Sequence, residues 1–256
     1  MRGRIPSQSP VNNYEGIIIM TAYLPGTDAA RHGTGDADLT IMLAAHGAFR
    51  RDLTRLVRAA AAADLSDPAR RQPVEAGWEL FKHQLHLHHT AEDEIIWPVL
   101  RPRLAHSEHA LSVLDAMEEE HERIDPLLAA VDAAFAQRDA SAVPGVSSPA
   151  VGQVGDWPGE DRLADVIDVL TSTLTGHLAH EERDGLPLIG VALTAAEWRG
   201  VGFKMARQNG LSDGGEMFAW ILDGADGDAA LRTLPPPLRL LYKGVWKPRF
   251  NKTPRW

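Results

Sequence analysis

The sequence contains no cysteine. That absence removes disulfides, thiolate metal sites, iron-sulfur clusters and cysteine nucleophiles, and leaves histidine with carboxylates as the strong ligand set. Sites of that kind suit iron, manganese or zinc. Long apolar runs are also missing. The nearest approach, Gly16 to Met20, falls far short of the ~18 residues that a membrane span needs. It is too short for a signal-peptide core as well, even with Arg2 and Arg4 ahead of it, so a cytoplasmic location is expected. Nor is there an excess of basic charge. The formal charge of -9 is the opposite of the footprint that phosphate demands, and nucleic acid is not expected as the main partner.

What is present is an ordinary globular balance, 44% hydrophobic and 24% charged over 256 residues, enough to bury a sizeable core. Residues 1–35 are rich in Gly, Pro, Ser and Asn without a sustained period and read as an irregular arm. Its apolar patch, Ile17 to Met20, is expected to dock, and Met20 is a second candidate start.

The chain is organised around a skeleton that occurs twice. His88, Glu92 and Pro98 return as His177, Glu181 and Pro187, with the same offsets of four and ten residues. On a helix, residues four apart share a face, so each copy points an imidazole and a carboxylate the same way. A single such pair is commonly a surface hydrogen bond. Two copies with one proline offset make a stronger case for two halves of a metal site.

Helical periodicity places the rest. From Asp38, an apolar stripe runs through Leu39, Met42, Leu43, His46, Phe49, Leu53 and Val57, and the helix is expected to end before Ser66 to Pro68. A second helix, from about Pro73 to Leu100, carries Trp78, Phe81, Leu85, His88, Glu92, Ile95 and Val99 on its face. His83 and His86 fall off that stripe and are expected in solvent, while His89 lies at its margin. A third stripe through Leu114, Met117, His121, Ile124, Leu128, Val131 and Phe135 again has one histidine at its middle, with Asp125 four residues on and Pro126 predicting a kink. After the Gly/Pro/Ser-rich connection 139–160, a fourth helix carries Leu163, Val166, Ile167, Leu170, Leu174, His177 and Glu181.

The order is a His helix, a His-x3-Glu helix, a His helix and a His-x3-Glu helix, the pattern of a duplicated helical hairpin. The fold expected is all-α: an up-down-up-down four-helix bundle over 36–192 with a C-terminal helical extension over 193–256. Within that extension a capping box at Thr194 and Glu197 opens a helix to Gly210, and short helices are expected over 216–223 and 228–234. Pro235 to Pro237 are expected to end regular structure. The tail from Leu238 to Trp256 carries six basic residues and no acidic one, interleaved with Tyr242, Trp246, Phe250 and Trp256. Such a tail suits nucleic acid or a membrane surface; in an acidic chain, packing back on the bundle is the favoured expectation.

Four imidazoles and two carboxylates at matched depth in one core would leave unpaired charge at several kcal/mol per ion. Two metal ions resolve that. Two bridging carboxylates with terminal imidazoles form a nitrogen and oxygen site with open positions.

These residues resemble the hemerythrin and HHE cation-binding superfamily, over about 38 to 190. The resemblance implies a bundle holding an oxo- or hydroxo-bridged pair of iron ions that reacts with dioxygen. It implies His46, His88, His121 and His177 as terminal ligands and Glu92 and Glu181 as bridging carboxylates. The oxygen carriers of the family have a second histidine one turn after the third-helix ligand, where this chain has Asp125. Their last carboxylate is an aspartate five residues after its histidine; here Glu181 is at four, with Glu182 at five expected to point away. The sequence is more similar to the bacterial HHE type, with Asp125, His89 or His180 as candidates to complete the shell, Asp125 first.

The resemblance implies oxidase or peroxide-scavenging chemistry with dioxygen, hydrogen peroxide or nitric oxide as the small ligands. Alternatives are an oxygen or iron sensor or storage module signalling through 193–256, and a di-iron oxidase of a small molecule. Manganese and zinc fit the same ligands.

Overall fold

A computed structural model describes residues 37–62, 65, 67–141, 162–223 and 236–256. The arm over 1–35 and the helix expected over 228–234 lie outside them, as does all but the start of the 139–160 connection.

Among the described residues every regular element is helical. Helix α1 is Thr40–Ala62, opened by the Asp38 carboxylate, which accepts from the Thr40 N–H at 3.0 Å. Helix α2, Pro68–Ala91, starts five residues before Pro73, the start expected from sequence. Asp67 caps it, accepting from the Ala69 N–H, and Pro68 occupies the first helical position, where its missing N–H costs nothing. The Asp-Pro pair that ends one helix therefore also begins the next.

A π-helical turn, Glu92–Ile96, links α2 to α3, Trp97–Arg103. Helix α4 is Glu108–Ser141 and runs on through Pro126. Helix α5, Arg162–His180, passes through a second π turn, Glu181–Gly185, into α6, Leu186–Ala192. A third π turn, Tyr242–Trp246, joins α8, Pro236–Leu241, to α9, Lys247–Phe250.

All three π turns have one cause. Pro98, Pro187 and Pro248 each stand second in the helix that follows the turn. A proline ring clashes with the carbonyl four residues back and donates no hydrogen bond. The chain widens by one residue ahead of it: the N–H groups of Trp97, Leu186 and Lys247 reach back five residues to Glu92, Glu181 and Tyr242.

Helix α7, Ala195–Ile221, opens with the expected capping box. It is a single helix where the sequence suggested a break at Gly210 and a restart at 216. Gly215 serves close approach: a Cβ there would lie 2.5 Å from the indole nitrogen of Trp246. The tail corrects expectation similarly, because Pro236 starts a helix at its first position.

Two apolar clusters form the interior. One gathers Phe49, Leu53, Trp78, Phe81, Leu85, Ile124, Val131, Leu170 and Leu174 with Phe218, Trp220, Leu238, Tyr242 and Phe250. The other gathers Leu39, Met42, Ile95, Trp97, Leu114, Met117, Leu186 and Ile189 with Val201. The tail packs back on the body, with Trp256 seated against Gly77 of α2 and its N–H bonded to the Pro73 carbonyl at 3.1 Å. No described helix is long and apolar enough to cross a membrane.

Candidate metal centre

Between the two apolar clusters lie His46, His89, Glu92, His121, His177 and Glu181, all buried, with the His88 side chain 8% exposed. The first two π turns begin at the glutamates, each four residues after a histidine, so Glu92 and Glu181 share a helix face with His88 and His177.

The polar side chains form two groups. His46, His88, Glu92 and Glu181 bring one ligand atom each to within 4.8 Å of one another, and His89, His121 and His177 do the same. His46 Nε2 lies 3.1 Å from Glu181 Oε2, and His88 Nε2 lies 3.2 Å from Glu92 Oε1. The other oxygen of Glu92 faces the second group, 3.5 Å from His121 Nε2. His121 Nε2 and His177 Nε2 approach to 3.2 Å.

The outer nitrogens are held from behind. His46 Nδ1 bonds Glu182 at 2.9 Å, His121 Nδ1 bonds Asp93 at 2.9 Å, and His177 Nδ1 bonds Glu120 at 2.9 Å. A carboxylate accepts only, so each ring donates through Nδ1 and turns the Nε2 lone pair inward. Two such lone pairs facing across 3.2 Å, those of His121 and His177, repel unless a cation or proton lies between them.

Burial and charge work against one another here. Burial draws the His46 imidazole down, yet Glu181 and Glu182 carry it up to about 9. Burial pushes Glu181 up, but His46 and the other imidazoles hold it at about 2. Burial raises Glu92 well above the carboxylate range, and the Glu181 charge adds to that. His88, buried and beside His46, falls to about 3, and burial likewise drives His89 well below its ordinary value.

The fit to a metal rests on buried donor atoms that face one another but make no hydrogen bond. His46 Nε2, His88 Nε2, His89 Nε2 and both oxygens of Glu92 and Glu181 are buried without a hydrogen bond. Buried groups of that kind are ordinarily satisfied. Here they converge, all are nitrogen or oxygen donors, and cations at their centre would satisfy them together.

The structure brings together six of the seven residues proposed from sequence: His46, His88, Glu92, His121, His177 and Glu181. It places the seventh, Asp125, on the exposed side of α4 and outside both groups. The inward position of that turn belongs to Ile124, which is fully buried. His89 stands in the second group instead, its ring stacked on His121 with centroids 3.9 Å apart. His180 stays at the edge, bonded to Glu120 at 2.8 Å. His83 and His86 are exposed, as their place off the stripe implies.

Glu182 does not point away. The π turn rotates it toward α1, where it also takes two hydrogen bonds from Arg50, at 2.6 and 3.1 Å. Sequence reasoning missed Asp93, Glu120 and Glu182 as imidazole holders. A signal was there: in each copy of the skeleton the buried glutamate is followed directly by a second acid, Asp93 or Glu182, and each of these reaches a histidine on another helix.

The hemerythrin HHE cation-binding domain model matches residues 37–189, more than half of the chain. The chain belongs to that family, and its histidines and glutamates form clusters with the makings of a metal site. Neither the curated proteins nor the solved structures contain a match to the chain.

Proposed function

We propose that this chain is a non-haem di-iron protein reacting with dioxygen, hydrogen peroxide or nitric oxide, its metal pair held at the middle of an up-down-up-down four-helix bundle over 36–192. Support for the bundle comes from the order in which each helix meets the two apolar clusters. Helices α1 and α4 pass from the cluster of Met42 and Met117 to that of Phe49 and Val131, while α2 with α3 and α5 with α6 run the other way. Each crosses over at its histidine.

His46 and His88 would be the terminal ligands of one ion, His89, His121 and His177 those of the other, with Glu92 and Glu181 bridging. The observation carrying this reading is the convergence of their buried nitrogens and oxygens, those of His46, His88, His89, Glu92 and Glu181 without a hydrogen bond. His89 supplies the fifth imidazole that Asp125 does not. When bound, the iron pair supplies two-electron redox chemistry toward small oxidants.

The protein's own part is to fix the rings, exclude bulk water and pass protons. Glu182, Asp93 and Glu120 lock the Nδ1–H tautomers and strengthen the imidazoles as donors. Glu120 also joins His177 to His180, and His180 Nε2 lies 3.3 Å from Asp184 at the surface. That chain of polar atoms connects the buried centre to solvent, which consumption of peroxide requires and simple carriage does not. A cavity of about 550 Å³ lined by Leu39, Leu43, Glu182, Arg183 and Leu186 opens beside it.

The test has two readouts. Protein produced with added iron should contain two iron ions per chain by metal analysis. Mixed anaerobically as the ferrous form with dioxygen or peroxide, it should consume oxidant over many turnovers. A stable, reversible dioxygen adduct would move the assignment to carriage, and zinc or manganese in place of iron would remove it.

A further inference from the structure

The outer face of the C-terminal segment plays no part in the metal centre. From Pro236 to Phe250 the chain is one helical rod with a π turn at its middle. Every fourth residue turns inward: Leu238, Tyr242 and Phe250 are buried, and Trp246 packs against the same cluster. The wider π turn keeps that four-residue register, because an undistorted α-helix would drift off it by 40° each time.

The opposite side is aliphatic and cationic. Leu240 is 74% exposed, Val245 52% and Leu241 38%, three of the five exposed large hydrophobics among the described residues. Lys243, Lys247, Arg249 and Lys252 lie exposed around them. No acidic residue occurs between Leu238 and Trp256, although the chain as a whole carries a formal charge of -9. Single exposed leucines are unremarkable. Leu240 stands opposite the buried row, Leu241 and Val245 a quarter turn to one side of it and Lys243 and Lys247 a quarter turn to the other, so that the outward half of the rod forms a mixed aliphatic and cationic docking face.

We propose that this face docks the protein reversibly on the surface of an anionic lipid bilayer. Lysine and arginine meet the headgroup charge while Leu240, Leu241 and Val245 enter the boundary with the acyl chains. Nucleic acid fits less well. The rings that would stack on bases, Tyr242 and Phe250, are buried, and Trp246 is half-buried. What remains outside is aliphatic, which suits lipid. A patch this small, without a lipid anchor, gives weak and salt-sensitive binding.

The experiment is co-sedimentation of the full chain with phosphatidylcholine vesicles, with and without phosphatidylglycerol. Binding is expected only to the anionic vesicles and should disappear in high salt. Each of Lys243→Gln and Lys247→Gln should weaken it by ~5-fold, and the pair by ~25-fold. Leu240→Ser with Val245→Ser should weaken it comparably while leaving the circular dichroism spectrum and melting curve as in wild type, since both sites are exposed. Equal binding to neutral vesicles would overturn the proposal. So would undiminished binding by both double variants, which would assign the contact to another segment, or capture of single-stranded RNA in preference to vesicles by this same face.

Discussion

His46 donates its Nδ1 hydrogen to Glu182 Oε1 over 2.9 Å, and the Arg50 guanidinium forks over both oxygens of the same carboxylate. The position of that acid, next to the buried Glu181, mirrors Asp93 next to Glu92, which holds His121. Removing the charge at one of these positions should be felt at the metal. Glu182→Gln keeps an acceptor for Nδ1–H but loses the negative charge that makes the ring a stronger donor. Metal affinity should fall about 10-fold, and up to 100-fold in Glu182→Ala, read by competition with a chelator. A half-buried site makes the fold tolerant, so the far-ultraviolet dichroism should be unchanged. An affinity equal to wild type in both variants would mean that Glu182 acts only as a partner for Arg50.

His89 and Asp125 separate two ligand sets. His89 is buried, stacked on His121 and grouped with His177; Asp125 is exposed on α4. His89→Ala should reduce bound metal from two ions per chain toward one, and Asp125→Asn should bind the full complement. Metal analysis after desalting distinguishes them. The reverse pattern would restore Asp125 to the shell and remove His89.

The contrast between those two residues shows what could be read from the chain. The doubled His-x3-Glu skeleton and four apolar stripes were enough to locate six polar side chains that the structure gathers, because helical spacing is local information. Asp125 and His89 stand close to the margins of their stripes, where a rotation of tens of degrees decides burial. That rotation is set by how the neighbouring helices pack, as the stacking of His89 on His121 of α4 shows. The π turns themselves were in principle legible, since Pro98, Pro187 and Pro248 each stand six residues after the first residue of one. The sequence offers Gly210 and Pro236 as stops, and packing overrides both: α7 continues, and Pro236 starts a helix. Which acid reaches which imidazole across helices is tertiary information, absent from any spacing.

Gly77 makes a signed prediction about the tail. A Cβ at that position would lie 2.5 Å from the Trp256 ring. In most helix interiors Gly→Ala stabilises by about 0.5–1 kcal/mol. Here Gly77→Ala should destabilise by about 1–2 kcal/mol, because the indole must leave its seat on α2. In a Trp256→Ala background the clash is gone and the same substitution should stabilise. Urea titrations of the four proteins measure the sign change. Gly77→Ala stabilising both backgrounds alike would show that the ring is not seated there.

At the start of α7, Glu197 closes the capping box and pairs with Arg103. Arg103 donates to Oε1 at 2.8 Å, and the Thr194 N–H and hydroxyl donate to Oε2, each at 2.9 Å. The Arg103 hydrogen bond, followed by those from Thr194, holds the carboxyl at about 2 against an ordinary 4.5. A depressed carboxylate contributes stability that is fully present above its unfolded value and lost as pH falls through the folded one. The window is therefore pH 4.5 down to about 2. Glu197→Gln can still accept from Thr194 and so isolates the charge. Its melting temperature should lie below wild type at neutral pH, with the gap closing as the solution is acidified through that window. Thr194→Ala, which removes the reciprocal hydroxyl acceptor, should cost about 1 kcal/mol at neutral pH. A Glu197→Gln gap that stayed constant on acidification would show that the side chain supports the cap through shape and hydrogen bonding alone, with Arg103 contributing nothing through charge.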